Sequence, residues 1–313
     1  MSMLRSARAL AAFALLAASC GGDPSDEVTE SGAPHALSLA PPGEARSRAG
    51  RLLYYGGPVL GRAKVTAVLW GDVDPQVASA LPGFYRAAVG SSYFDWLSEY
   101  DTTGKAVDGS PGTAQHIRRG SFAGAVRIAP HAHGTKLTDA AIEKELAAQV
   151  RKGSLPAPGD DTVFLVHFPP GVHISMGGSS SCEQGGFCGY HSAFRLRGQR
   201  LAYAVLPDMG EGSGCDTGCG AGGAVDRVTS VASHELVEAV TDPEVGLASG
   251  LAAPLAWYDA AGGEIGDLCN GKTGRLRAGR TVYLVQKEWS NAARACVLAG
   301  RGKAQDEVSV EGD

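Results

Sequence analysis

The sequence predicts a mixed α/β (α+β) domain, and three observations carry that reading. Short apolar runs suited to buried strands alternate with segments of helical period over about 250 residues. Hydrophobic residues make up 44% of the 313-residue chain and charged residues 19%, enough apolar surface to build a packed core. Six cysteines fall between positions 182 and 296, an even number that suits disulfide-braced loops. The 44 glycines and 16 prolines make the chain turn-rich without the bias of a fibrous sequence. The 28 Lys and Arg against 33 Asp and Glu offer no basic stripe, so no nucleic-acid partner is expected. No window of 18 apolar residues predicts a membrane-spanning helix.

The chain opens with Arg5 and Arg8 before a short apolar stretch over 9–18, the pattern of a secretory signal peptide, expected over 1–19. Ala17-Ala18-Ser19-Cys20-Gly21 resembles the lipobox of bacterial lipoproteins. That resemblance implies export to the cell envelope and a membrane anchor through lipidated Cys20; cleavage without lipidation is the alternative. Residues 20–50, rich in Gly, Pro, Ser and Ala, read as a flexible tether. A single domain is expected over 51–300, with an acidic, disordered tail over 301–313. Strands are expected at 65–70, 125–128, 162–168, 201–206 and 281–285. Helices are expected at 75–89, 92–100 and 138–152, the last with Thr138 as its N-cap.

In an oxidising compartment Cys182, Cys188, Cys215, Cys219, Cys269 and Cys296 form up to three disulfides. The expected set joins the local pairs 182–188 and 215–219, with 269–296. The rival is a four-cysteine zinc site, which the C-x5-C and C-x3-C spacings fit poorly.

The helix expected at 226–241 carries the chemistry. Asp226 can cap it and Pro243 stops it. Val225, Val228, Ala232, Leu236, Ala239 and Val240 form an apolar stripe, with His234 and Glu238 one turn apart on the opposite side. In an H-E-x-x-H helix the two histidines bind zinc and the glutamate is the general base. Here His234-Glu235-Leu236-Val237-Glu238 puts a carboxylate at the second ligand position, and zinc accepts carboxylate oxygen. Glu264-Ile265-Gly266-Asp267 follows downstream, where a gluzincin-type site takes its third ligand. His191 is a further ligand candidate, or a group that stabilises an oxyanion. A metzincin is not indicated, since Glu244 stands where the third histidine falls and no methionine follows Met209. The bland alternative is a solvated helix face bearing a histidine and two carboxylates.

Five blocks resemble one known family, the plant phosphate-induced, EXORDIUM-like proteins and their bacterial relatives. These blocks are Tyr54-Tyr55-Gly56-Gly57-Pro58-Val59-Leu60, Cys188-Gly189-Tyr190-His191, residues 230–238, residues 264–269, and Val285-Gln286 through Cys296. The resemblance covers about 52–297 and implies a secreted protein, linked in plants to cell-wall and growth responses. It leaves the biochemical activity open. Thr241-Asp242-Pro243 departs from the plant pattern Ser-Asn-Pro.

Other signals are weaker. Gly218, Gly220 and Gly223 satisfy G-x-G-x-x-G, but no clear strand precedes them, so a loop leading into the helix is expected rather than a nucleotide site. His131 and His133 read as exposed loop residues, His167 and His173 as strand-end or loop residues, and Trp257, Tyr258 and Trp289 as core or rim. The expectation is a zincin-like metallohydrolase domain, with a mixed sheet and an active-site helix, that hydrolyses a peptide or protein substrate outside the cytoplasm. One Zn2+ would be held by His234, Glu238 and an acid from Glu264 or Asp267, with Glu235 as base. Two alternatives stay open: a non-catalytic binding or signalling module with a structural ion, Ca2+ included, and a cell-wall carbohydrate hydrolase using two carboxylates.

Overall fold

A computed structural model describes residues 28–29, 35–38, 50–300 and 305–310. The expected signal peptide and Cys20 lie outside the described residues. The first strands are β1 (Val28–Thr29), β2 (His35–Ser38), β3 (Leu53–Tyr54), β4 (Lys64–Trp70) and β5 (Ser121–Ile128). Helices α1 (Pro75–Gly90) and α2 (Ser92–Asp95) lie between the last two of these. Next come β6 (Lys136–Thr138), α3 (Asp139–Lys152), β7 (Thr162–His167), β8 (His173–Met176), β9 (Ser179–Ser180), β10 (Phe187–Leu196) and β11 (Gln199–Leu206). Helix α4 (Ala224–Thr241) is followed by β12 (Trp257–Tyr258), β13 (Thr273–Ala278), β14 (Thr281–Gln286), β15 (Glu288–Ser290), β16 (Ala295–Val297) and β17 (Glu307–Ser309).

The main sheet runs β5–β4–β7–β11–β10. Its first four strands are parallel, while β10 turns back antiparallel beside β11. Period-2 alternation divides the core into two layers. Val65, Ala67, Leu69, Val163, Leu165, Ala202, Ala204 and Leu206 join the cluster that contains α1 and α4. Val68, Trp70, Phe164, Val166, Leu201, Tyr203 and Val205 join α3 in the other. The alanines of β11 leave room for α4 to lie close to the sheet. A smaller sheet, β14–β13–β17, packs β14 against α4.

Local chemistry explains the helix ends. Asp74 accepts the Gln76 and Val77 N–H groups at the start of α1, with Pro75 in its first turn. Thr138 caps α3 as expected, and Gly153, at φ 78°, ends it in the left-handed region. Helix α4 begins two residues earlier than expected, at an N-cap Gly223. Asp226 therefore works from inside the first turn, accepting the Gly223 N–H at 3.0 Å.

Three expectations need correction, and the alternative of a solvated face on helix α4 does not hold: every residue from Val228 to Thr241 is buried. The sheet covers one side, while α1 and β14 cover others. Of the three expected cysteine pairs only 269–296 forms; the others are Cys182–Cys215 and Cys188–Cys219. Residues 215–219 make one tight turn, closed by Cys219 N–H to Cys215 O, and its two cysteines pair with Cys182, before β10, and Cys188, at the start of β10. The expected tether contains β1 and β2, which pair with β10. The expected disordered tail contains β17, held on β13 by buried Val308 and a two-bond Arg277–Glu307 pair. Three disulfides indicate an oxidising, extracellular or periplasmic setting. No helix among the described residues is long and apolar enough to cross a membrane.

Candidate metal centre

One turn of α4 stacks His234 beneath Glu238, with Nε2 and Oε2 3.0 Å apart. The other carboxylate oxygen, Glu238 Oε1, accepts the backbone N–H groups of Gly266 and Asp267, both at 3.1 Å. Those two bonds dock the loop after β12 onto the helix and bring Glu264 with it. From the sheet side, β10 turns Gly189, His191 and Ala193 toward α4. His191 Nδ1 lies 3.5 Å from both Glu235 Oε2 and Glu238 Oε2. Its Nε2 lies 3.4 Å from Glu264 Oε1 and 3.3 Å from the Asp242 carbonyl oxygen.

Two glycines form walls of this centre because no side chain fits there. A Cβ on Gly189 would sit 2.9 Å from Glu235 Oε1 and 2.8 Å from Val231 Cγ1. A Cβ on Gly266 would sit 2.5 Å from His234 Nδ1 and 2.9 Å from Glu238 Oε1.

His191, His234, Glu235 and Glu264 are 0% exposed, and Glu238 is 2% exposed. Burial opposes the charged form of each imidazole, but the surrounding carboxylates outweigh it. They raise His191, chiefly through Glu264, and His234, chiefly through Glu238, well above the ordinary range. Burial raises Glu235 and Glu264. Glu238 also feels burial, yet its contact with His234 and His191 lowers it. Burial pushes Asp242 up to about 8.

Six atoms in this group have no hydrogen-bond partner: His191 Nδ1, His234 Nε2, and both oxygens of Glu235 and of Glu264. Buried polar atoms are nearly always partnered, and a buried unpaired charge costs several kcal/mol. The residues form two sets of possible ligands, His191–Glu238–Glu264 and His234–Glu235–Glu238, each with its donor atoms within 4.8 Å of one another. Glu238 belongs to both. Buried imidazole and carboxylate donors grouped in this way could hold a metal ion.

Around this core lies a layer that fixes its parts. Gln286 Nε2 is hydrogen-bonded to His234 Nδ1 at 2.7 Å and donates to the Gly266 carbonyl at 2.9 Å. Ser233 Oγ accepts the Gln286 backbone N–H at 2.9 Å, and the Tyr93 hydroxyl donates to the Gln286 carbonyl at 2.8 Å. Tyr93 also donates to Glu288, which burial pushes up to about 8. An imidazole that ligates through Nε2 donates from Nδ1, so Gln286 would orient His234 for a metal with its amide oxygen turned to Nδ1.

The structure brings His234, Glu235, Glu238, His191 and Glu264 together. Asp267 stands apart at the rim: its side chain is 23% exposed, and its Oδ1 is 3.9 Å from His234 Nε2. Its other oxygen accepts the Glu264 N–H at 3.0 Å, so it shapes the turn that carries Glu264. Burial, then Glu238, pushes Asp267 up to about 7. Asp242, Gln286, Glu288 and Tyr93 were not singled out as site residues; Asp242 was noted where it departs from the plant pattern, and Gln286 and Glu288 fall inside the closing sequence block.

His131 is exposed and paired with Glu145, whereas His167 is buried against the Tyr85 hydroxyl. Trp257 donates to the Tyr100 carbonyl and Trp289 to Asn291, both structural roles. The Gly218–Gly223 stretch leads directly into α4. A shallow surface depression, lined by Asp74, His167 and Asp208 among others, lies at the C-terminal ends of β7 and β11. Compared with protein-family models, curated proteins and solved structures, the chain matches none.

Proposed function

We propose that the chain is an exported zinc-dependent hydrolase of zincin-like type, acting on a peptide or protein substrate. One observation carries the reading: two imidazoles and three carboxylates, all buried, leave six donor atoms without partners inside one pocket. Two histidines among the donors favour zinc over Ca2+, which takes oxygen ligands. His234, Glu238 and Glu264 would hold the ion, a set that draws on both groups through their shared Glu238 and needs His234 and Glu264 to close on it, with His191 beside them and Asp267 positioning Glu264. Zinc bound there supplies Lewis acidity and lowers the pKa of water toward neutrality.

The residues divide the remaining work. Glu235 lies in the pocket with both oxygens free to accept. It takes the proton of an attacking water and returns it to the departing amine, so the peptide bond is replaced by an acid and an amine. His191, within 3.5 Å of Glu235, Glu238 and Glu264, faces the same space and would stabilise the developing oxyanion by donating a ring N–H. The Leu16–Cys20 region supports a lipid anchor in the cell envelope, and the order of the sequence blocks supports kinship with EXORDIUM-like proteins.

The closure of the pocket favours a second reading, a binding module with a structural ion. Metal analysis of the purified protein and turnover of an unstructured polypeptide separate the two. The hydrolase reading expects about one zinc per chain, lost together with turnover in His234→Ala and Glu264→Gln, while Asp267→Asn weakens both without abolishing them. Zinc without any turnover leaves the structural reading; no bound metal overturns both.

A further inference from the structure

The outer edge of β10 runs past the metal centre, and the chain itself occupies it. β2 pairs there antiparallel, with His35 opposite His191, Ala36 opposite Tyr190, Leu37 opposite Gly189 and Ser38 opposite Phe187. The register shifts between Phe187 and Gly189, which leaves Cys188 as the bulged residue. A sheet edge offers a row of N–H and C=O groups that any extended chain can pair with. This edge does so where Gly189 has no side chain and Glu235 Oε1 fills the space its Cβ would take. A strand laid on it therefore passes beside both Glu235 and His191.

The edge also stays in place when its occupant leaves. On its inner side β10 is paired with β11 from Tyr190 to Leu196, and the Cys188–Cys219 disulfide ties the bulge to the loop before α4. β2 belongs to the part of the chain before the domain, where its sequence His-Ala-Leu-Ser carries no proline and no carboxylate. Such a segment pairs by its backbone and is tolerant of sequence, as an extended substrate would be.

We propose that residues 35–38 are an internal, substrate-like strand, occupying the edge on which an extended polypeptide substrate docks and keeping the centre closed until they leave. The proposal rests on the hydrolase reading for its substrate and on the β-pairing for its geometry. A tethered occupant competes at an effective concentration on the order of millimolar, so free substrate enters only as the strand releases.

The test is the full chain with Ala36→Pro and Leu37→Pro together, since proline lacks the N–H and breaks a paired strand. Hydrogen exchange over 187–191 should become at least about tenfold faster than in the wild type, because those amides lose their partner. A synthetic peptide of residues 33–40, added at millimolar concentration, should restore protection. KM for an unstructured polypeptide should fall about tenfold with kcat little changed, since release of the edge raises the binding-competent fraction. Ala36→Pro alone should move every readout the same way by less. Unchanged exchange in both variants overturns the proposal, as does faster exchange with an unchanged, measurable KM. Faster exchange and peptide rescue with no turnover from any protein leaves the strand on its edge and overturns the hydrolase reading instead.

Discussion

Glu235 and Glu238 lie less than one helical turn apart, yet their surroundings give them opposite parts, and replacing each by glutamine separates them. Glu238 accepts two backbone N–H bonds at 3.1 Å through one oxygen and meets His234 Nε2 at 3.0 Å through the other. Hydrogen bonds to a charged group contribute about 1.5–3 kcal/mol each, against about 0.5–1.5 for neutral ones. Glu238→Gln turns one of its oxygens into an amide that cannot accept and removes the charge. The metal-free protein should therefore lose about 2–3 kcal/mol of stability. Glu235 accepts no hydrogen bond, and its nearest polar neighbour, His191 Nδ1, is 3.5 Å away. Neutralising that carboxylate removes its desolvation cost but also its attraction to His191 and His234, so Glu235→Gln should change metal-free stability by less than Glu238→Gln does.

Urea unfolding in the presence of a chelator measures these changes, and zinc content and turnover are read on the same preparations. Glu235→Gln should keep its zinc and lose about 10²–10⁴-fold in turnover, the usual worth of a general base. Glu238→Gln should lose metal, turnover and stability together. The assignment fails if Glu235→Gln releases zinc or cleaves as fast as the wild type. It fails equally if Glu238→Gln is as stable as the wild type in chelator, because then the loop docking inferred from Gly266 and Asp267 contributes nothing.

Two further outcomes are expected. His167 is buried and bonded to the Tyr85 hydroxyl, and burial lowers its pKa to about 3 from the ordinary 6.5. Between those values the unfolded chain takes a proton that the folded chain refuses. Stability should thus hold above pH 6.5 and fall as pH drops toward 3, by up to about 1.4 kcal/mol per unit from this group. His167→Gln should flatten the slope by one proton's worth between pH 4 and 6, and an identical slope refutes the assignment. Gly266→Ala should lower zinc affinity at least about tenfold, since its Cβ needs space held by His234 Nδ1, at an overpacking cost of about 1–3 kcal/mol. Wild-type zinc affinity in that variant would show that the loop yields without disturbing the imidazole.

What the sequence carried and what it hid follow from physical causes. Strands β4, β7 and β11 are buried on both faces, so they read as continuous apolar runs and their positions were evident to within a residue or two. Helices α1 and α3 carry side-chain caps, Asp74 and Thr138, and were equally plain. Helix α4 starts at a glycine, which offers no capping side chain, so its first turn was missed. Strand β10 escaped notice because one of its faces contributes Gly189 and His191 to the centre instead of apolar side chains. His234, Glu235 and Glu238 stood out by their likeness to an H-E-x-x-H helix together with the acids at 264 and 267. Gln286 and Glu288 could not, since only the packing of β14 on α4 brings them to His234. Disulfide partners depend on the same long-range contacts, and local spacing misassigned two pairs of the three.

The parts of the centre come from five places in the chain: β10, α4, the loop after β12, the end of β14 and the start of β15. Three carboxylates buried together repel one another, so the fold must hold them in place. Two disulfides do this at opposite ends. Cys188–Cys219 closes 31 residues and ties the start of β10, three residues before His191, to the loop feeding α4. Cys269–Cys296 closes 27 residues and ties the turn that follows Glu264 and Asp267 to β16. Each such loop contributes about 3–4 kcal/mol in the chain-entropy model, comparable with the penalty of one buried unpaired carboxylate. The antiparallel turn of β10 completes the arrangement. A parallel strand at that edge would need a crossover over one face of the sheet. The short return from β10 to β11 leaves the α4 face clear, so a histidine on β10 reaches the helix that bears His234, Glu235 and Glu238.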